Sequence, residues 1–466
     1  MAAAPGADDF ATWDAVETRR RVRARDVTPR EVVERAIARA EAISELGAVV
    51  TPSFERALEH ARGEDRGELF GVPTFIKDLA PTAGVRTTWG SAGSGHYVPK
   101  RSIDVVKRFE AMGLVSLGKS ATPELGMTAT TEPVAGSPCR NPWNPQRSTG
   151  GSSGGAACLV AAGVVPVAHA SDGGGSIRIP AACCGLVGLK PSRGRLDMEG
   201  SNLLPLNVAC DGVVSRTVRD TIAFWEALES GRAPKRLQRI GSVGPRRTPL
   251  KIGLFVEAPS RTPVDPDVCA AVLSTGRVCR DLGHEVEEIA CPFDRTLMDD
   301  FLRYWGMLAW LQVRSARVTL HWGFDAGKLD PWTLGLAGWF ASEMGAGFAA
   351  MRRLRAFSRS FPQIIDAWDV LLSPTLAEPA PLLGHLAPNQ PFETAFARLR
   401  AWAQFTPLYN AAGAPAISLP LARSSAGLPI GVQLASVPGR DRTLLELSLA
   451  LEEARPWPRI APAPPA

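Results

Sequence analysis

Gly150-Gly151-Ser152-Ser153-Gly154-Gly155 and Asp172-Gly173-Gly174-Gly175-Ser176-Ile177-Arg178 lie close together near the middle of a 466-residue chain. Glycine runs let a backbone approach a ligand and take up conformations that other residues avoid. A serine embedded in such a run is held where a reacting group meets both a hydroxyl and free N–H donors, the elements of a nucleophile beside an oxyanion hole. Between the clusters, Gly154 to Ala162 reads as a small-residue helix ending at Gly163, and Val164 to Ala168 as a strand. The same alternation continues on both sides. Upstream lie a strand over Leu69 to Ile76, a helix face of Val105, Val106, Phe109 and Met112 stopped by Gly113, and a strand over Leu114 to Leu117. Thr28-Pro29-Arg30-Glu31 reads as a capping box with proline at the first helical position. Downstream, Thr217 caps a helix, Asp265-Pro266 opens another that ends near Gly283, and His284 to Ile289 returns as a strand. Late strands are expected at Val370 to Leu372, Ala416 to Leu419 and Ile430 to Leu434.

This alternation predicts an α/β fold, one compact domain over 1–466 with a central mixed sheet covered by helices on both faces. The core is expected at about 65–250 and 365–455, with a variable segment at about 255–400.

The bulk numbers exclude several classes. Hydrophobic content of 45% with 21% charge is ordinary for a globular protein. The net charge of +5 is mild, and the densest basic run, Arg19 to Arg25, reads as a solvated helix face, so no nucleic-acid partner is expected. Eight cysteines show no C-x-x-C or zinc-type spacing, so no metal is expected and a reducing compartment is favoured. Met1 to Phe10 lacks a basic-then-apolar signal pattern. The longest apolar stretch, Ala156 to Ala170, is too short and too broken by Gly163 and Pro166 to span a membrane. Gly113 to Ser120 fits the P-loop pattern, but its intervening residues read as a buried strand and Pro123 interrupts the helix that should follow. The expectation is that Gly113 ends a helix and Lys119 begins a loop.

Amide hydrolysis needs a deprotonated nucleophile, a proton for the leaving nitrogen and support for an oxyanion. None of the six histidines lies in either cluster. A lysine replaces histidine as base if it is neutral, and burial lowers its ordinary pKa of about 10.4. Lys77 follows the apolar strand pattern Val72-Pro73-Thr74-Phe75-Ile76; pairing with Asp78 or snorkelling to solvent is the alternative role.

These residues together carry a resemblance. The chain resembles the amidase signature family of Ser-Ser-Lys hydrolases through Gly150 to Gly155, Ser171 to Ala181 and Cys184 to Pro191. Further matches are Gly71-Val72-Pro73 with Lys77-Asp78, Leu117-Gly118-Lys119 with Thr122-Pro123-Glu124, and Asn141 to Asn144. Later come Ser373-Pro374-Thr375, Asn410 with Gly413 to Ala416, and Gly427 to Gln433. The resemblance implies Ser176 as nucleophile, Ser152 (after a cis peptide bond) as proton relay and Lys77 as neutral base. It implies Gly173, Gly174, Gly175 and Ser176 as oxyanion donors, with Ser153, Asp172 and Arg178 supporting the loop. It implies no cofactor, a cytoplasmic monomer or homodimer, and a small-molecule amide substrate. Where the family often has Thr, Ile or Ala, this chain has Gly173; where it often has proline, this chain has Val213.

Within the family, Thr130-Thr131-Glu132-Pro133 and Arg147-Ser148 look most like the 6-aminohexanoate cyclic dimer hydrolase branch, which implies small linear or cyclic amides. Aryl amides, carbamates and esters stay open. The alternative is the glutaminase subunit of a tRNA-dependent amidotransferase, whose members usually carry glutamine where this chain has Ile179. Seven of the twelve tryptophans fall between Trp305 and Trp402. They read either as the packing of a helical cap or as the wall of an apolar pocket.

Overall fold

A computed structural model describes residues 9–63 and 67–462. The reading of Met1 to Phe10 as lacking a leader therefore falls mostly outside the described residues. Three strands, β1 (Val49–Pro52), β2 (Pro73–Lys77) and β3 (Val115–Ser120), form a small sheet in the order β1-β3-β2. A hairpin of β4 (Arg140–Asn141) and β5 (Asn144–Ser148) follows. The remaining strands build one eight-stranded sheet. They are β6 (Val167–Asp172), β7 (Val187–Lys190), β8 (Cys210–Ser215), β9 (Lys251–Leu254), β10 (Glu285–Glu288), β11 (Val370–Pro374), β12 (Ala416–Arg423) and β13 (Pro429–Ala435). Their spatial order is β10-β9-β11-β13-β12-β7-β8-β6. β10, β9 and β11 pair in parallel, and the pairs from β11 through β13, β12, β7 and β8 to β6 are antiparallel. The sheet is mixed, with helices packed around it, as expected.

The inner strands β8, β11 and β13 are buried along their whole length because both faces are covered, whereas the edge strand β10 is largely exposed. The capping box forms as read: Thr28 Oγ1 accepts from Glu31 N, and the Glu31 carboxylate accepts from Thr28 N. Thr217 caps the helix Val218–Gly231, and Asp265 the helix Pro266–Asp281.

Among the boundaries that differ from expectation are those of β2, β3 and β6. β2 begins only at Pro73, because the chain turns through Gly71 at φ +83°. β3 runs on through Gly118 and Lys119 to Ser120, so Lys119 does not begin a loop. Its ammonium is buried, within 3.3 Å of Thr82 Oγ1 and against the Ala80 carbonyl. No phosphate loop exists there, since the supposed loop residues are hydrogen-bonded to β1 and β2. β6 starts at Val167 and extends to Asp172, later and longer than the expected 164–168. The segment at 255–400 is likewise not wholly peripheral: it supplies β10 and β11, and β11 sits inside the sheet between β9 and β13.

The small sheet is joined to the large one along β6. Thr74 Oγ1 donates to the Val167 carbonyl at 3.0 Å, and Lys77 N donates to His169 Nδ1 at 3.2 Å. Phe109 packs edge-on against His169 at 5.3 Å and also meets Phe224 at 5.3 Å. Among the described residues no helix is long and apolar enough to cross a membrane. Phe109 is almost fully buried at this joint. Phe109→Ala is therefore expected to lower stability by about 3–5 kcal/mol in urea denaturation, with the urea m-value unchanged.

Candidate active site

Three segments meet at the joint between the sheets. β2 delivers Lys77 at its last position. The turn before the helix Gly154–Ala161 delivers Ser152, and the peptide bond between Gly151 and Ser152 is cis. The turn between β6 and the helix Arg178–Cys184 delivers Ser176.

Lys77 has no exposed surface. Its Nζ donates to Ser152 Oγ at 2.7 Å and to Ser171 Oγ at 3.0 Å. Burial pulls its pKa down to about 7, against the opposing pull of the Asp211 and Asp172 carboxylates. Both carboxylates are already engaged elsewhere. Asp211 lies 3.1 Å from His169 Nε2, and Asp172 pairs with Arg178. The pairing of Lys77 with Asp78 does not form; Asp78 accepts from Thr88 N at 3.0 Å, and Lys119 is the nearest ammonium at 4.0 Å.

Ser176 is 8% exposed, more than Ser152 at 2%, and opens on the cavity. Among the described hydrogen bonds none joins Ser176 Oγ to Ser152 Oγ. The four expected oxyanion donors are not equivalent. Gly175 N–H is committed to Asp172 Oδ1 at 2.7 Å. No described hydrogen bond uses the N–H of Gly173, Gly174 or Ser176, so these three are free to meet an oxyanion. Position 175 requires glycine: its φ is +132°, and a Cβ there would lie 2.2 Å from Thr406 Oγ1.

The three residues expected to support the loop do so by different contacts. Ser153 Oγ accepts from Ser171 N and donates to the Ser171 carbonyl, both at 3.2 Å. Asp172 accepts from Gly175 N, Ile177 N, the Asn410 amide and two nitrogens of Arg178. Burial alone would raise its pKa, but the Arg178 charge and hydrogen bonds hold it down at about 2. Arg178 uses all five of its N–H donors, on Asp172, the Thr406 carbonyl, Gln433 and Asn410.

Ser171 and His169 were not foreseen. They lie two residues apart, so they share the face of β6 turned toward Lys77. Ending the strand at Ala168 hid that alternation. Asn410 and Gln433 fell inside matched motifs, but no local feature tied them to Arg178.

A cavity open to solvent borders Ser176. Its wall is built by Met298, Phe301, Leu302 and Trp305 of the helix Thr296–Thr319, and by Trp332 and Leu336 of the helix Pro331–Ser342. No charged side chain is among its lining residues. Both readings of the tryptophan-rich segment are thus partly right: Trp305 and Trp332 face the cavity, whereas Trp339 packs on Phe396 within the cap. Trp322 is 83% exposed and does neither. Among the described residues no group of three or more His, Cys, Asp or Glu side chains is placed to hold a metal ion.

Comparison with known proteins agrees with this architecture. The amidase family profile matches residues 31–445. The chain is 35% identical over 482 residues to the 6-aminohexanoate-cyclic-dimer hydrolase of Pseudomonas sp. strain NK87, covering 95% of each chain. The solved structure of a 6-aminohexanoate cyclic dimer hydrolase complexed with substrate superposes with a TM-score of 0.88 at 31% identity, covering 96% of this chain and 98% of that one. A bacterial aryl acylamidase structure of the amidase signature enzymes gives a TM-score of 0.83 at 28% identity, covering 96% of each chain. The chain belongs to the amidase family, and it is an amide-hydrolysing enzyme.

Arg178→Met leaves Asp172 buried and without its cation. The expected cost is about 3–5 kcal/mol in denaturant unfolding. Adding Asp172→Asn, which removes the stranded charge, should recover part of that loss.

Proposed function

We propose that the protein hydrolyses the carbon–nitrogen bond of small linear or cyclic amides through an acyl-enzyme on Ser176, with Ser152 as proton relay and Lys77 as base. The observation that carries the reading is the 2.7 Å contact between Lys77 Nζ and Ser152 Oγ in a site where burial brings the amine to about pH 7. A neutral Nζ accepts the Ser152 hydroxyl proton and donates to Ser171 Oγ. As Ser176 Oγ forms its bond to the substrate carbonyl, its proton passes to Ser152 Oγ and the Ser152 proton to Lys77. The oxyanion is met by the N–H groups of Gly173, Gly174 and Ser176. On collapse the C–N bond breaks, Ser152 returns a proton to the leaving nitrogen, and Lys77 restores the Ser152 proton. Water then attacks the Ser176 ester by the same relay. The residues present call for no cofactor in any of these steps.

The apolar cavity wall favours uncharged acyl groups and supports this reading over glutamine hydrolysis for an amidotransferase, whose substrate carries a charged α-amino acid head. The likeness to the cyclic dimer hydrolase supports small amides as substrates, with aryl amides, carbamates and esters as further candidates. Eight free cysteine thiols support a reducing, cytoplasmic setting.

Ser176→Ala should reduce turnover of any cleaved amide to background, and Lys77→Met should cost about 10²–10⁴-fold or more in kcat. Retained turnover in purified Ser176→Ala overturns the assignment. Because the neutral amine is the active form, kcat/KM should rise with pH, reach half its plateau near the Lys77 value of about 7 and level off above it. A rising limb centred near pH 10 would mean that Lys77 keeps its ordinary pKa, and a profile without either limb that Lys77 is not the base.

A further inference from the structure

The space that a side chain at Gly173 would fill is already taken. A Cβ built on Gly173 lies 3.0 Å from both Cη2 and Cζ3 of Trp305. A Cβ on Gly174 lies 3.1 Å from Cζ of Phe301. Phe301 and Trp305 stand one turn apart on the helix Thr296–Thr319, so they share a face. Their rings stack at 5.9 Å with an interplanar angle of 17°. The two rings thus lie on the two glycines whose N–H groups are free for the oxyanion. The indole is also fixed at its polar edge. Trp305 Nε1 donates to the Met127 carbonyl at 3.0 Å, and Trp332 Nε1 donates to the same oxygen at 3.1 Å. Trp305, Phe301, Met127, Gly174 and Ser176 all border one cavity.

We propose that Trp305, seated on Gly173 and tied to the Met127 carbonyl, is the specificity-determining residue for the acyl group, admitting uncharged planar or slender acyl groups to Ser176 and turning away branched ones. The inference rests on Ser176 being the nucleophile. A flat group slides along an aromatic face at van der Waals distance, whereas a quaternary carbon beside the carbonyl meets the indole before it reaches Ser176. Glycine at 173 is then the partner of the indole: a larger residue there makes Trp305 give way by a few tenths of an ångström or is itself displaced toward the oxyanion site.

The test uses the full chain with benzoyl, butyryl and pivaloyl p-nitroanilides and the matching p-nitrophenyl esters. Wild type should favour benzoyl over pivaloyl. Trp305→Ala should move that kcat/KM ratio toward pivaloyl by about tenfold or more, the scale of discrimination that shape contacts in a pocket supply. Gly173→Ala should lower kcat/KM on every substrate by about tenfold. In the Trp305→Ala background the same change should cost less than about threefold, because the clash is gone. Trp305→Phe, which keeps an apolar wall, should give an intermediate ratio and serves in place of Trp305→Ala if that variant melts early.

A benzoyl-to-pivaloyl ratio unchanged within about twofold in the Trp305 variants, or an equal penalty for Gly173→Ala in both backgrounds, overturns the proposal. So does a wild type that cleaves other amides but no benzoyl substrate. Each of these leaves Ser176 as nucleophile, provided Ser176→Ala is inert; activity surviving in Ser176→Ala instead overturns the reading on which the proposal stands.

Discussion

Two side chains with no exposed surface, Asp172 and Arg178, hold the loop that carries Ser176. A buried ion pair earns its place only when the geometry is good and the remaining donors and acceptors are satisfied. Here the guanidinium forms two bonds to the carboxylate and spends its other donors on the Thr406 carbonyl, Asn410 and Gln433. The short loop is thereby attached to the helix Pro407–Ala412 and to β13, far away in sequence. The same carboxylate takes the N–H groups of Gly175 and Ile177. That leaves the N–H groups of Gly173, Gly174 and Ser176 unused, and Gly174 and Ser176 border the cavity. Lysine in place of Arg178 could not reproduce this fork of donors.

The state of Lys77 follows from what surrounds it. A buried ammonium is tolerated when a carboxylate meets it, and here none is free. Asp211 is taken by His169 and Asp172 by Arg178, so Lys77 is left with two hydroxyls. Desolvation then outweighs the two distant charges and favours the neutral amine. The environment that would make Lys77 a poor salt-bridge partner leaves its amine able to accept a proton at neutral pH, as the proposed mechanism requires.

Much of the fold was legible before any coordinates. Capping residues such as Thr28, Thr217 and Asp265 announce helices because they satisfy backbone N–H groups locally. Strand ends were less legible. Ser171 and Asp172 are polar, so an apolar count stops at Ala168; their burial depends on Lys77, Ser153 and Arg178, which arrive from elsewhere. Lys119 misled for the same reason, since a lysine inside a strand reads as a strand end unless the buried carbonyl that receives it is known. Trp305, Trp322 and Trp339 look alike as letters, yet one borders the cavity, one is exposed and one packs within the cap.

By itself the sequence determined the amidase class, because the glycine-rich motifs around Ser152 and Ser176 are short local patterns that survive in one dimension; the proposed roles of Lys77, Ser152 and Ser176 come from the family resemblance. The sequence also determined the alternating α/β architecture, through caps and periodicity. Only the tertiary structure decided which N–H groups remain open for an oxyanion, which carboxylates are spent before they reach Lys77, and which aromatic rings lie on Gly173 and Gly174. The rings come from residues far away in sequence, and the pairings of Asp172 with Gly175 and Arg178 and of Asp211 with His169, though nearer, follow no periodicity or spacing, so packing alone settles the geometry.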